Sequence, residues 1–416
     1  MATQEKCLVR QVRPRSGQPW LRLGRALAAL LTAVGSLAAE PRPQPVPKPT
    51  AKRDTGQSVS RRRVLGARPL RMYYYLDDTR SAESLRAYAA EIDLFAPQCF
   101  WTDGDGFVYG GPPSRAAEIA RAARLAVMPL LFNRGFDRST VTAMLHSEKA
   151  QRRVVSYLAY LSRRDNYVGF QINLENIDPA DRHLLTRFVR RAAARLHRDG
   201  RLLSVTLIPR FSDTYPAARR PGEFATGEWG APYDYRALGQ VADFLTLMTY
   251  DQSNANTPPG PVAGHDWVKK ALEYAVRRIP RQKVLLGIPF YGREWTSNGE
   301  APTSRALALK DATLLLERLE ISPEWDDRWR SPYFRYRDGS ILHTVWFENS
   351  RSLTEKLQLV RQYRLRGFAA WRLGSEDPQF WALAAGLRKS RAGEPVRRTA
   401  TPRARASSAR PASQLK

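Results

Sequence analysis

Cysteine is almost absent: Cys7 and Cys99 are the only two in 416 residues. Cys7 falls in a leader-like N-terminus, so a mature chain would keep one cysteine. That excludes an internal disulfide and leaves the redox compartment unread. Cys99, in a strand-like run, reads as a small buried apolar residue. Acidic residues are also scarce, 40 Asp and Glu against 67 Lys and Arg, giving a formal charge of +27. No recognisable nucleic-acid motif accompanies that charge, so nothing favours a specific nucleic-acid target. There is no internal repeat and no evident wall-binding repeat. The apolar run from Ala26 to Ala39 is too short for a comfortable membrane span. No Gly-rich phosphate loop follows the first strand-like run, which counts against a doubly wound open sheet.

What is present is a core-forming chain with basic ends. Hydrophobic residues make up 43% of the sequence, enough for a sizeable core. Residues 1–67 carry 13 Lys/Arg against 3 Asp/Glu, and residues 388–416 carry 9 against 1. A basic end is attracted to polyanions such as nucleic acid, anionic lipid or an acidic envelope polymer. A solvated tail with no dedicated partner fits the same charge. Arg10, Arg13, Arg15, Arg22 and Arg25 precede the apolar run, and Ser36-Leu-Ala38 offers a small-x-small cleavage site. This pattern predicts a signal peptide over 1–39 and an exported protein. The long basic region also fits a signal anchor. Pro41 to Pro49 alternates proline with other residues and reads as a stiff linker within 40–67. Residues 389–416 lack periodicity and read as a disordered basic tail.

Between the ends, strand-like and helix-like runs alternate. The strands expected are Leu70–Leu76, Ala96–Trp101, Leu125–Phe132, Val168–Leu174, Leu202–Ile208, Phe244–Tyr250, Val284–Pro289 and Gly367–Trp371. Helices are expected at Ser81–Leu94, Ala116–Arg124, Glu148–Arg163, Pro179–Asp199, Asp266–Arg278 and Ser352–Tyr363. Eight strands alternating with helices over 68–388 predict an α/β fold, a (β/α)₈ TIM barrel. Residues 292–350 interrupt the alternation. A helix over Leu309–Leu319 and a hairpin across Asp338-Gly339 predict a small α+β insertion between the seventh and eighth strands.

The run Gly169-Phe-Gln-Ile-Asn-Leu-Glu175 alternates with period two. Phe170, Ile172 and Leu174 share one face; Gln171, Asn173 and Glu175 share the other. Polar side chains on one strand face are costly to bury unless they serve each other or a ligand. Asn-Ile-Asp-Pro follows, so Glu175 sits at the strand's carboxyl end, where such barrels carry their chemistry. An edge strand with a wet face, or a Glu helping to cap the next helix, fits the same run. In the sixth strand Thr246, Met248 and Tyr250 share a face, with Asp251 next. In the eighth, Gly367 and Ala369 lie beneath Trp371. That leaves room for a flat ring across the barrel mouth, although an ordinary core aromatic would look alike. A carboxyl, a tyrosine and a tryptophan around one mouth suit glycosidic cleavage, which needs an acid and a partner for developing positive charge.

These stretches resemble glycoside hydrolase family 18, which includes chitinases and chitinase-like proteins. The resemblance covers about residues 70–388. The family's fourth-strand motif, Asp-Gly-x-x-x-Asp-x-Glu, lies in register on Val168-Gly-Phe-Gln-Ile-Asn-Leu-Glu175. Met248-Thr-Tyr-Asp251, Gly287-Ile-Pro-Phe-Tyr-Gly292 and Trp371 are also similar. Gly-Pro-Val-Ala-Gly, Val-Trp-Phe-Glu-Asn and Leu-Gly-Ser-Glu-Asp-Pro resemble a bacterial, spore-cortex-lytic-like subgroup. The resemblance implies substrate-assisted hydrolysis, in which the N-acetyl oxygen of the sugar attacks the anomeric carbon. It implies that Glu175 is acid and then base, that position 173 orients the acetamido group, and that Tyr250 bonds it. Trp371 would floor the subsite, with Asp251, Met248 and Gln171 lining the pocket. No cofactor or metal is implied, and a monomer is expected.

Three positions depart from the family's pattern: Val168 and Asn173 stand where the motif has Asp, and Gln171 where the family often carries another Asp. Asn173 matters most, because it offers hydrogen bonds but no charge beside the oxazolinium intermediate. Two functions follow. One is an exported retaining hydrolase of β-linked N-acetylglucosamine glycans: chitin-like polymers, peptidoglycan or poly-N-acetylglucosamine. The other is a chitinase-like sugar-binding protein without turnover. The retained Glu175, Tyr250, Asp251 and Trp371 favour the first, and Asn173 favours the second.

Overall fold

The computed structural model describes residues 64–66, 68–213, 226–299 and 302–389. The expected leader, the linker apart from 64–66, and the tail beyond residue 389 lie outside the described residues, as does 214–225. In chain order the strands are β1 (Leu70–Tyr75), β2 (Leu94–Thr102), β3 (Val108–Gly110), β4 (Leu130–Phe132), β5 (Gly169–Asn173), β6 (Leu202–Leu207), β7 (Phe244–Leu247) and β8 (Val284–Pro289). After them come β9 (Tyr291–Ser297), β10 (Thr303–Ala308), β11 (Glu324–Asp326), β12 (Ser331–Asp338), β13 (Ile341–Trp346) and β14 (Gly367–Trp371). Strands β1, β2, β4 to β8 and β14 pair in parallel around a ring, and β1 meets both β2 and β14. This is the expected (β/α)₈ barrel. Strand β3 hangs antiparallel on the outer end of β2.

Alternation places the side chains. Met72, Tyr74, Leu94, Ala96, Met128, Leu130, Leu202, Phe244, Leu285 and Ala369 fill the barrel interior. Phe170, Ile172, Leu203, Val205 and Leu286 face the surrounding helices. Those helices are α1 (Thr79–Tyr88), α2 (Ser114–Ala122), α3 (Arg138–His146), α4 (Glu148–Arg164), α5 (Arg182–Arg198), α6 (Thr226–Gly230), α7 (Tyr235–Val241), α8 (His265–Val276), α9 (Leu309–Leu319), α10 (Ser350–Gln362) and α11 (Phe380–Lys389). Helix α4 forms because Ser147 caps Ala150 N–H, while Val154, Leu158 and Leu161 recur on one buried stripe. Helix α5 buries a similar stripe of Leu185, Phe188, Val189 and Leu196, without a side-chain cap bond. Each such buried side chain contributes about 1.5–3 kcal/mol. Val64, fully buried, joins the interior cluster from below. Arg366 holds this segment by donating to the carbonyls of Val64, Gly66 and Arg68.

The insertion is an antiparallel sheet ordered β10-β9-β13-β12-β11. Helix α9 covers one of its faces, over Phe334, Val345 and Phe347. The structure shortens two expected strands by three residues or more. Strand β4 starts at Leu130, not Leu125, because Pro129 has no N–H to donate and β2 shifts register between Gln98 and Phe100. Strand β7 ends at Leu247, not Tyr250. There the backbone folds tightly, with Thr249 N–H donating to Leu247 O at 2.8 Å and Tyr250 N–H to Met248 O at 2.9 Å. Among the described residues no helix is long and apolar enough to cross a membrane.

Candidate active site

The polar face of β5 points into the barrel. Gln171 is fully buried. It accepts from Tyr74 Oη at 2.8 Å and donates to Ser204 Oγ at 2.9 Å and Thr246 Oγ1 at 3.1 Å. Both of its N–H donors are thus used, and its side chain supports the floor rather than lining a pocket. Asn173, one turn of the pleat higher, accepts from Thr206 Oγ1 at 2.6 Å. Its Nδ2 donates to Glu175 Oε1 at 3.1 Å. Because Thr206 donates to its Oδ1, the amide nitrogen is turned toward Glu175.

Glu175 is half-buried at the barrel mouth. Burial pushes its carboxyl up to about 7; the Asn173 hydrogen bond opposes the rise and the nearby Asp251 charge adds to it. Tyr250 lies close enough to feel Glu175 and Asp251, and burial raises its phenol well above the ordinary value. Its ring meets Tyr291 edge-on at 6.4 Å. Gly287 permits this approach, since a Cβ there would sit 2.5 Å from Leu247 O and 3.0 Å from the Tyr250 ring. Asp251 adopts a left-handed φ of 59° and accepts from Tyr291 Oη at 2.6 Å. Burial raises its pKa, against the Tyr291 bond and the Arg293 charge.

Trp371 ends β14, half-buried over the interior cluster, with its ring centroid 5.3 Å from Tyr74. Met248 is placed otherwise than alternation predicts. It is buried and belongs to the hydrophobic layer around the barrel, because the strand has already ended at Leu247. The structure therefore brings Asn173, Glu175, Tyr250, Asp251 and Trp371 to one mouth, and leaves Gln171 and Met248 behind it. Among the described residues no group of three His, Cys, Asp or Glu converges as a metal would require.

The sequence pattern of "Glycosyl hydrolases family 18" matches residues 133–377. The chain belongs to this family. It is a glycoside hydrolase. It is 30% identical to the cortical fragment-lytic enzyme of Bacillus subtilis over 311 residues, 73% of this chain and 69% of the relative. It is 27% identical to the uncharacterized glycosylase YvbX of the same organism over 314 residues, 74% of this chain and 88% of the relative. Among solved structures, a chitinase from Chromobacterium violaceum superposes with a TM-score of 0.70 at 28% identity, covering 78% of this chain and all (100%) of that one. The Bacillus megaterium spore cortex-lytic enzyme SleL superposes with a TM-score of 0.69 at 27% identity, covering 77% and 74%.

In this family-18 barrel the three departures have separate structural settings. Val168 is buried in the interior apolar cluster. Gln171 makes both donor and acceptor bonds, which an ionised Asp there could not. Asn173 keeps a donor on Glu175. Sequence reasoning places Thr246 on the inward face without a role, and misses Tyr74, Ser204, Thr206, Tyr291 and Asn133. Ser204 and Thr206 are legible as polar residues at alternate positions of β6, the same signal that marks β5, whereas Tyr74 sits among apolar and aromatic neighbours in β1 that give no such signal. Tyr291 opens β9 and Asn133 follows β4, and the partners of both are brought in by tertiary packing, which no local pattern reveals.

Proposed function

We propose that the chain is an exported, retaining hydrolase of β-linked N-acetylglucosamine glycans, working by substrate assistance. The observation that carries this reading is Glu175: an enclosed carboxyl with a pKa near 7 and one neutral donor on Oε1. Because Asn173 occupies Oε1 with an N–H, the transferable proton rests on Oε2. That oxygen protonates the glycosidic oxygen as the bond breaks. The sugar's own N-acetyl oxygen attacks the anomeric carbon, giving an oxazolinium. The Glu175 carboxylate then takes a proton from water, which opens the intermediate with overall retention. Tyr250 donates its phenolic hydrogen to the acetamido oxygen. Asn173 and Asp251 border the same group, and Trp371 with Tyr74 floors the ring. Asn173 supplies orientation without charge, so turnover is slow relative to a site with Asp there.

The leader at 1–39 carries the chain out of the cytoplasm in this reading. The linker at 40–67 and the tail at 389–416 hold the monomeric barrel domain near an anionic envelope polymer. The test is to incubate the purified protein with N-acetylglucosamine oligomers and with peptidoglycan fragments. Mass spectrometry reads the products, and proton NMR reads the first-formed anomer. Cleavage with a β product is expected. A second reading, a sugar-binding protein without turnover, is favoured by the uncharged Asn173. It would show as binding of the same oligomers with no product.

A further inference from the structure

The backbone of Glu175 lies past the end of its strand. The β4–β5 ladder pairs Leu130 with Gln171, Leu131 with Ile172 and Phe132 with Asn173, and stops there. Beyond it, the peptide groups of residues 174 and 175 need other partners. Asn133, the residue after β4, supplies them from its side chain. Its Oδ1 accepts from Glu175 N–H at 2.9 Å, and its Nδ2 donates to Glu175 O at 2.9 Å. Nδ2 also reaches Asp137 O at 3.3 Å. The Asn133 side chain is a planar amide with one donor edge and one acceptor edge, the chemistry of a peptide group. It therefore acts as one more rung of the ladder, placed under the residue that matters most.

The neighbouring groups are fixed as well. Tyr233 Oη donates to Leu174 O at 2.6 Å. Asn176, at a left-handed φ of 54°, donates to Phe136 O at 2.9 Å. It accepts from Arg138 Nε at 3.2 Å and Nη2 at 3.0 Å. The loop 133–138 thus holds Glu175 and the residue after it, while Tyr233 holds the residue before it, and Asn133 is the loop's only direct hold on Glu175 among the described hydrogen bonds.

We propose that Asn133 is a positioning residue for Glu175, fixing the direction of the acid by bonding both polar groups of its backbone. The inference rests on the reading of Glu175 as the acid. Asn133 is buried and need touch no substrate. A rival role, support of the barrel alone, predicts lost stability and nothing else. The two differ in what happens to the carboxyl. Without the amide rung, Glu175 drifts from Asn173 Nδ2 and loses the bond that favours its charged form.

The test uses Asn133→Ser in the full chain, with Asn133→Asp as the second variant. The Asp variant keeps the acceptor for Glu175 N–H but sets a carboxylate against Glu175 O. Positioning predicts that kcat falls on the order of 10- to 100-fold, as small misplacements of a reacting group do. KM should stay within a few-fold. The carboxyl titration of Glu175 should move upward from about 7. Carbon-13 NMR of labelled glutamate reads it, the signal being assigned by its absence in Glu175→Gln. An Asn133→Ser protein with the parent's kcat and the parent's titration overturns the inference, whatever its melting temperature. If the Ser variant does not fold, the Asp variant is judged on the kcat and KM split. Should the parent itself cleave nothing, the hydrolase reading fails, and the titration still decides the positioning role.

Discussion

Two glutamates in this molecule are both enclosed, yet their carboxyl pKa values shift in opposite directions. Glu175 sits at the barrel mouth and Glu294 in the inserted sheet. For each, burial is the largest influence and opposes charge. Glu294 nonetheless lies below the ordinary carboxylate range. It accepts from Tyr336 Oη at 2.6 Å, His343 Nδ1 at 2.8 Å, and Arg305 Nε at 2.7 Å. Glu175 has one neutral donor and a like charge nearby, so it rises to about 7. Burial alone therefore does not make an acid. Withholding cationic and multiple donors from a buried carboxyl does, and the mouth withholds what the insertion supplies.

Exchanging each glutamate for its amide separates the two. Glu175→Gln should lower turnover by about 10²- to 10⁴-fold with oligosaccharide binding within a few-fold. Glu294→Gln should leave turnover per folded molecule near the parent's. Steady-state rates beside isothermal titration check both, and equal losses would dissolve the contrast.

Stability against pH sharpens it next. The folded pKa of Glu175, about 7, lies above its ordinary value of 4.5. The stability it contributes is full below the unfolded value and is lost as pH rises through about 7. Between those limits Glu175→Gln should gain on the parent, by up to about 3 kcal/mol above neutrality. Glu294 has the opposite sign: its contribution is present above its unfolded value and disappears as pH falls through its lower folded one. Denaturant midpoints over a pH series read both slopes. At neutral pH, Glu294→Gln should cost about 1–3 kcal/mol, since it leaves buried donors poorly matched.

The smallest effect concerns Asn173. Asn173→Asp adds charge beside the oxazolinium and should raise turnover roughly tenfold, equivalent to about 1.4 kcal/mol. The new Asp and Glu175 would titrate jointly, so the gain is sought across a pH series. A variant no faster at any pH would show that charge at this position is not what limits the reaction.

Much of the fold and part of the site are legible in the amino-acid sequence. The period-two run at 169–175 marks the strand, its inward face and Glu175 at its end. Strand β8, strand β14 and helix α9 fall where their patterns put them. Alternation puts Met248 and Tyr250 on one strand face, but the chain leaves the ladder at Leu247, and a turn made by backbone bonds carries no side-chain signature. Asn133 is illegible because its partner lies 42 residues away. The Glu294 cluster is illegible for the same reason: residues 294, 305, 336 and 343 meet only once the inserted sheet pairs. Local pattern reports faces and ends, whereas the donors that tune a carboxyl come from strand pairing and loops.

The most direct test is the pH dependence of kcat on an N-acetylglucosamine oligomer. A carboxyl that must stay protonated and titrates near 7 predicts a rate that falls tenfold per unit above about pH 7. A rate that stays flat from roughly pH 6 to 9, or falls already near the ordinary glutamate range, would contradict the account.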